Sequence, residues 1–343
     1  MELRNKMKLK SLGFALTLAA VAVGLAACGG KGSSPAAASA AASAPAAQVN
    51  VGIIQLVEHQ ALDAANKGIV DALAARGFKD GEKIKIDSQN AQADQSNMKN
   101  IAQRFVSAKS ALIFAIATPA AQTVANTTKT IPIVGTAITD YESAKLVKSN
   151  DKPETNVTGS SDMNPIAEQA ALVKTLVPNV KTIGVMYNSS EVNSEVQVAA
   201  FRKEAEKMGV ALKVATVSNV NDIQQAARSL VGKVEALYVP TDNVIASAMP
   251  TLVKVTNPAK LPVICGESNM VKAGGLATVG VDYYVLGKMA GEIGADILEG
   301  KAKPETTPIQ YQKEFKALLN EKTAAEIGFK FPESVKAGAE LVK

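Results

Sequence analysis

Ala111-Leu112-Ile113-Phe114 is followed by Thr118, a stretch with helical spacing, and then Ile131-Pro132-Ile133-Val134; the series returns as Ala236-Leu237-Tyr238-Val239, Thr241, another helical stretch and Leu261-Pro262-Val263-Ile264. Continuous apolar runs of this length suit strands buried on both faces, and helices between them supply the crossovers that parallel strands require. The pattern predicts an α/β protein. Working outward, strands are expected at 49–56, 83–87, 111–117 and 131–137, and again at 181–187, 211–217, 236–239 and 262–265. Helices are expected at 63–76, ending at Gly77, and at 96–108 and 192–208. Four strands in each half suggest an internal duplication; convergence of two βαβ patterns is the alternative.

Two extended, glycine-containing stretches, 156–160 and 277–282, lie where one half gives way to the other. A helix from Asp282 to about Gly300 and an extended run from Pro308 to Leu319 then suggest a third crossover. The expected lobes are 49–157 with 283–307 and 158–282 with 308–343. Their sheets would be joined by a multi-strand hinge, with a ligand cleft between two bodies that can rotate and close. Roughly 295 residues after position 48 exceed one typical core, which fits two lobes.

Ahead of the first strand, Arg4, Lys6, Lys8 and Lys10 precede an apolar run ending in Leu25-Ala26-Ala27-Cys28. This resembles a bacterial lipoprotein export signal. The expectation is removal of residues 1–27, lipid acylation of Cys28 and attachment to a membrane of the cell envelope, on its extracytoplasmic face. Residues 29–48, almost all Ala, Ser, Gly and Pro, read as a tether. Without residues 1–27 the chain carries 33 basic and 31 acidic side chains. That near-neutral balance, with no dense basic run, gives no footprint for nucleic acid. No second apolar stretch is long enough to span a bilayer. With Cys28 acylated, Cys265 has no disulfide partner, and its strand-like surroundings suit a buried, inert thiol.

In an open parallel sheet, ligands bind beyond the carboxyl ends of the strands. The turns that fall there contain Gln55 and His59, then Thr118 and Ala120, then Asn188 and Ser189, then Asp242 and Asn243, and finally Glu267. Thr118-Pro119 suits a helix start whose free amides, Ala120 among them, attract a carboxylate, and Asn188-Ser189 offers an equivalent; plain capping is the alternative. Asp242 directly follows a strand and could accept an ammonium, with Glu267 and Asp282 as alternates. Carboxylate and ammonium sites together imply an amino acid. His59 is the only histidine, so a multi-histidine metal site is excluded, and no nucleophile elbow or dinucleotide fingerprint is present. No catalytic residue, metal or cofactor is expected, and the tyrosines are scattered as packing or cleft-wall residues.

At Val57-Glu58-His59-Gln60-Ala61-Leu62-Asp63, Ala115-Ile116-Ala117-Thr118-Pro119-Ala120-Ala121-Gln122, Asn156-Val157-Thr158-Gly159 and Tyr238-Val239-Pro240-Thr241-Asp242-Asn243, the chain closely resembles ABC-transporter substrate-binding lipoproteins of the tryptophan/tyrosine type. Gly280 to Gly287 is similar to the same family, and the resemblance spans about 49–328. It implies a two-lobe fold resembling the type I periplasmic-binding proteins and a monomer. It also implies delivery of an aromatic or other hydrophobic amino acid to a membrane permease with its ATPase. Gln60, where many members are expected to carry proline, alters a turn beside the cleft. A ligand-sensing lipoprotein of the same fold, or a receptor for a sugar or nucleoside, are the alternative functions.

Overall fold

The computed structural model describes residues 48–343; the export signal, Cys28 and most of the tether lie outside the described residues. The first half supplies β1 (Val49–Gln55), α1 (Gln60–Ala75), β2 (Ile84–Asn90), α2 (Gln95–Ser107), β3 (Leu112–Ile116), α3 (Thr118–Thr127), β4 (Ile133–Ile138) and β5 (Val157–Ser161). The second supplies α4 (Ile166–Leu176), β6 (Thr182–Asn188), α5 (Val192–Lys207), β7 (Ala211–Val217), α6 (Ile223–Leu230), β8 (Ala236–Val239), α7 (Asn243–Ser247), α8 (Met249–Thr256), β9 (Val263–Cys265), α9 (Ser268–Lys272) and β10 (Ala277–Gly280). After them come α10 (Tyr283–Leu298), β11 (Gln310–Tyr311), β12 (Lys316–Asn320), α11 (Glu321–Ile327), α12 (Glu333–Lys336) and β13 (Glu340–Val342).

Two sheets result, in the orders β11-β5-β4-β3-β1-β2 and β13-β12-β10-β9-β8-β6-β7. Every neighbouring pair is parallel except β10 with β12. The runs β2-β1-β3-β4-β5 and β7-β6-β8-β9-β10 have the same strand order, so the repetition legible in the sequence is also a repetition of topology. The central strand β3 is buried along its whole length, as its unbroken apolar run requires. At the edge, β7 is mostly exposed or half-buried.

The chain leaves the first sheet after Ser161, returns after Gly280 and crosses again between Tyr311 and Lys316. The extended stretch expected as a crossover near Asn156 is also a paired strand of the first sheet. A division at 157/158 falls inside β5, and one at 307/308 falls ahead of β11, which pairs with β5. A Cβ on Gly159 would come within 2.0 Å of Gly135 O, so glycine there lets β5 sit against β4. The extended run 308–319 is divided between the sheets as two strands.

Returning from the second sheet, α10 lies on α1, where Arg76 reaches Glu292 at 2.7 Å and Asp296 at 2.8 Å. A Cβ on Gly287 would come 2.0 Å from Ala65 O, so a side chain there would force the helices apart. Among the described residues no helix is long and apolar enough to cross a membrane.

Candidate functional site between the sheets

In each lobe the strand order reverses between the first and third strands, and the loops following those strands border the crevice. A cavity of about 490 Å³ lies there, with Leu56, Val57, Met98 and Pro119 on one side and Val220 and Val244 on the other. Its polar lining includes Gln92 and Gln95 from the first half and Asn188, Ser190, Glu191 and Asn243 from the second, and its one charged group, Glu191, belongs to the second. Its volume suits a small molecule. A smaller cavity of about 180 Å³ is bounded by Glu58, His59, Ser247, Glu267 and Met270. Another, of about 730 Å³, lies at the crossings beside Asp282, Tyr311 and Lys316, away from the strand ends where the order reverses. The strand topology, rather than size, singles out the 490 Å³ cavity.

On the first lobe, α3 begins at Thr118 with Pro119 in its first turn and no side-chain cap. The N–H groups of Thr118 and Ala120 therefore lack intrahelical acceptors. Ala117 ahead of them has φ 85°, an unfavourable conformation for a residue with a Cβ. Thr118 is 1 % exposed, and its Oγ1 has no hydrogen-bond partner. A buried hydroxyl without a partner, on an uncapped helix terminus, is suited to an anionic oxygen. Ala120 contributes through its backbone.

The second lobe presents carboxylates. Asp242 is fully buried and caps α7, accepting the Ile245 N–H at 3.0 Å on Oδ1. Its Oδ2 accepts the Asn188 N–H at 2.6 Å and the Ser194 O–H at 2.7 Å. Both oxygens are thus engaged within the lobe, and because Asp242 is not among the residues bordering the cavity, this arrangement braces the loops after β6 and β8. Burial raises its pKa, and the N–H donors partly oppose that. Glu191, one residue beyond the turn singled out by sequence, borders the cavity. Its Oε2 accepts Asn193 Nδ2 at 2.9 Å and the Asn243 N–H at 3.2 Å, and its Oε1 accepts the Val244 N–H at 3.2 Å. Burial, and then the neighbouring Asp242 charge, push Glu191 up to about 8. An arriving ammonium would favour its charged form. Beside it, Asn193 Oδ1 is a second buried polar atom without a partner.

The remaining expected residues divide. Asn188 and Asn243 line the cavity, and Asn243 Oδ1 lies 3.4 Å from His59 Nε2 across the cleft. Burial lowers the His59 pKa to about 4, against the raising effects of Asn243 and Asp63. The imidazole is neutral at pH 7. Gln55 turns inward, donating to Val57 O at 3.0 Å and Asp63 Oδ1 at 2.7 Å, and serves the loop's shape. Ser189 is exposed and borders neither interlobe cavity, whereas Ser190 borders the larger. Glu267 caps α9 through the Met270 N–H at 2.7 Å in the smaller cavity, and burial pushes it up to about 7. Asp282 caps α10 at a crossing, outside the cleft. Cys265 is buried, and burial raises its thiol pKa. Tyr238 stacks on Phe201 at 3.9 Å between ring centroids, a packing role. Among the described residues no cluster of three or more metal-ligating side chains occurs.

Comparison with known proteins places this geometry. The profile of the family described as ABC transporter substrate binding protein matches residues 50–343. A tyrosine-binding protein of Clostridioides difficile is 49% identical over 276 residues, covering 80% of each chain. The structure superposes on an ABC domain in complex with L-Trp from Streptococcus pneumoniae with TM-score 0.83 and 42% identity, covering 86% of this chain and 100% of that one. The ligand-free, open structure of a substrate-binding protein with adhesive properties from Clostridium difficile gives TM-score 0.67 at 45% identity, covering 86% and 99%.

Proposed function

Given that the chain belongs to the ABC transporter substrate-binding protein family, we propose that it captures an aromatic amino acid, tyrosine or tryptophan, between its two lobes and delivers it to a membrane permease served by an ATPase. The observation that carries this reading is the 490 Å³ cavity with aliphatic walls, an uncapped α3 terminus beside it on one lobe and Glu191 on the other. In it the ligand carboxylate takes the Thr118 hydroxyl and the first amides of α3, Glu191 and Asn193 Oδ1 accept the ammonium, and Leu56, Val57, Met98 and Val244 enclose the ring. The tyrosine-binding relative and the L-Trp complex support the choice of ligand.

Substrate-binding proteins of ABC importers are extracytoplasmic binding proteins. We infer that this one is a non-enzymatic monomer held at the membrane by lipid on Cys28, residues 29–48 giving it reach to the permease. A thermal-shift panel of amino acids, sugars and nucleosides on residues 29–343 tests the ligand. Tyrosine or tryptophan at 100 times its dissociation constant adds about 2.7 kcal/mol. A shift with only a sugar or nucleoside overturns the assignment. Because the chain contains no tryptophan, indole emission follows bound tryptophan directly.

A further inference from the structure

Behind the cleft, a run of buried hydrogen bonds joins both lobes to two of the three crossings. Gln197 on α5 donates from Nε2 to Thr139 Oγ1 at 3.2 Å, from the second lobe to the end of β4 in the first. Thr139 donates in turn to Asp162 Oδ1 at 2.8 Å, immediately beyond the first crossing. Tyr283, immediately beyond the second, donates to Asp162 Oδ2 at 2.7 Å. All four residues are at least nine-tenths buried. None is among the residues bordering the 490 Å³ cavity.

The donor count at Gln197 matters. Its Nε2 has two hydrogens but three oxygens in range: Thr139 Oγ1, Asn193 O at 3.1 Å and Thr241 Oγ1. Two of those acceptors lie in its own lobe, next to Glu191 and Asp242. When the lobes part, Gln197 loses Thr139 yet keeps a partner for each hydrogen, and Thr139 keeps donating to Asp162. Opening therefore strands no buried donor, which is the costly outcome for most buried polar contacts. The bond can be made and released reversibly. The chain as a whole superposes more closely on the L-Trp complex, with TM-score 0.83, than on the ligand-free open relative, with 0.67.

We propose that Gln197 and Thr139, with Thr139 held in place by Asp162 and Tyr283, form a latch that fastens the closed form and maintains a closed population before ligand arrives. Asp162 and Tyr283 are positioning residues: they act on closure through Thr139 and do not touch the ligand. The inference rests on the receptor reading above but is tested without it. Spin labels at Lys79→Cys and Lys213→Cys, both exposed and on opposite lobes, report interlobe distances in ligand-free residues 29–343, a segment that contains all the buried cores.

Thr139→Val should lower the closed-to-open ratio about tenfold, the factor for a hydrogen bond worth about 1.4 kcal/mol. Thr139→Ser, which keeps the hydroxyl, should restore it, and Tyr283→Phe should lower it by a smaller factor. With L-tryptophan as the probe, Thr139→Val should speed dissociation about tenfold and leave association unchanged. A parent with no closed population, or a ratio unmoved by Thr139→Val, overturns the latch. If no aromatic amino acid binds the parent, the ligand assignment falls while the label distances still decide the latch.

Discussion

The two lobes share a strand order and divide the chemistry. The first brings a helix terminus without a side-chain cap and a buried, unpartnered hydroxyl at Thr118. The second brings Glu191, Asp242 and Glu267, three carboxylates at most 3 % exposed. Apart from Asp162 at a crossing, these are the buried carboxylates among the described residues. On the proposed reading, one repeated scaffold supplies a rim for an anion and a rim for a cation, the complement of a zwitterion. Topology fixes where the loops converge, and the side chains on those loops fix what can bind.

The most disruptive test of that division is Asp242→Ala. It leaves the Asn188 and Ile245 N–H groups and the Ser194 hydroxyl without an acceptor, so denaturant titration should show a loss of about 4 kcal/mol. Unchanged stability with lost affinity would instead make Asp242 the ligand's own contact, as its place after β8 first suggests. Glu191→Gln comes next: about a hundredfold weaker binding of L-tryptophan, read from indole fluorescence, because a neutral amide replaces the ammonium's counter-charge. Thr118→Val should weaken binding about tenfold while leaving the melting temperature of the ligand-free protein unchanged or higher, since no internal hydrogen bond is broken. Equal damage from Thr118→Val and Glu191→Gln would erase the contrast between the rims.

The smallest effect is the pH dependence. Glu191 at about 8 and Glu267 at about 7 are raised above the usual carboxylate value, so their contribution to stability is complete below about pH 4.5 and is lost as pH rises toward 8. His59, lowered to about 4, works oppositely: its contribution is complete above about 6.5 and is lost as pH falls through 4. Between pH 6.5 and 8 only the carboxylates act in this set. The ligand-free protein should lose stability across that window, and Glu191→Gln should flatten the upper part. Over the same window L-tryptophan should bind more tightly, by less than about tenfold per pH unit, with calorimetry in two buffers detecting proton release. A flat profile would separate Glu191 from the ammonium.

Much of this was legible in the chain. Leu112 to Ile116 and Ala236 to Val239 announce buried parallel strands because both faces are covered and no alternation is needed. Thr118-Pro119 announces a helix start from local sterics. Glu191 was not legible: its hydrogen-bond partners Asn243 and Val244 lie about fifty residues later and bring it N–H groups in need of an acceptor. Gln55 misled because a polar residue at a strand end can face either the cleft or its own helix, and Asp63 and Asn66 draw it to α1. Ser189 and Ser190 differ only in which way one turn points them. At β5 the sequence showed an extended crossover but not its pairing, which rests on distant partners: Ser160 donates to Leu286 O and its oxygen accepts from the Thr136 hydroxyl.

By itself the sequence determined the α/β class, the twofold repetition, the loops that meet at the cleft and the family, since these follow from local periodicity and from motifs a few residues long. Only the tertiary structure decided which carboxylate braces and which faces the cavity, and that Gln197 reaches Thr139. A buried charge or hydrogen bond is set by which distant groups exclude water from it and which supply its partners.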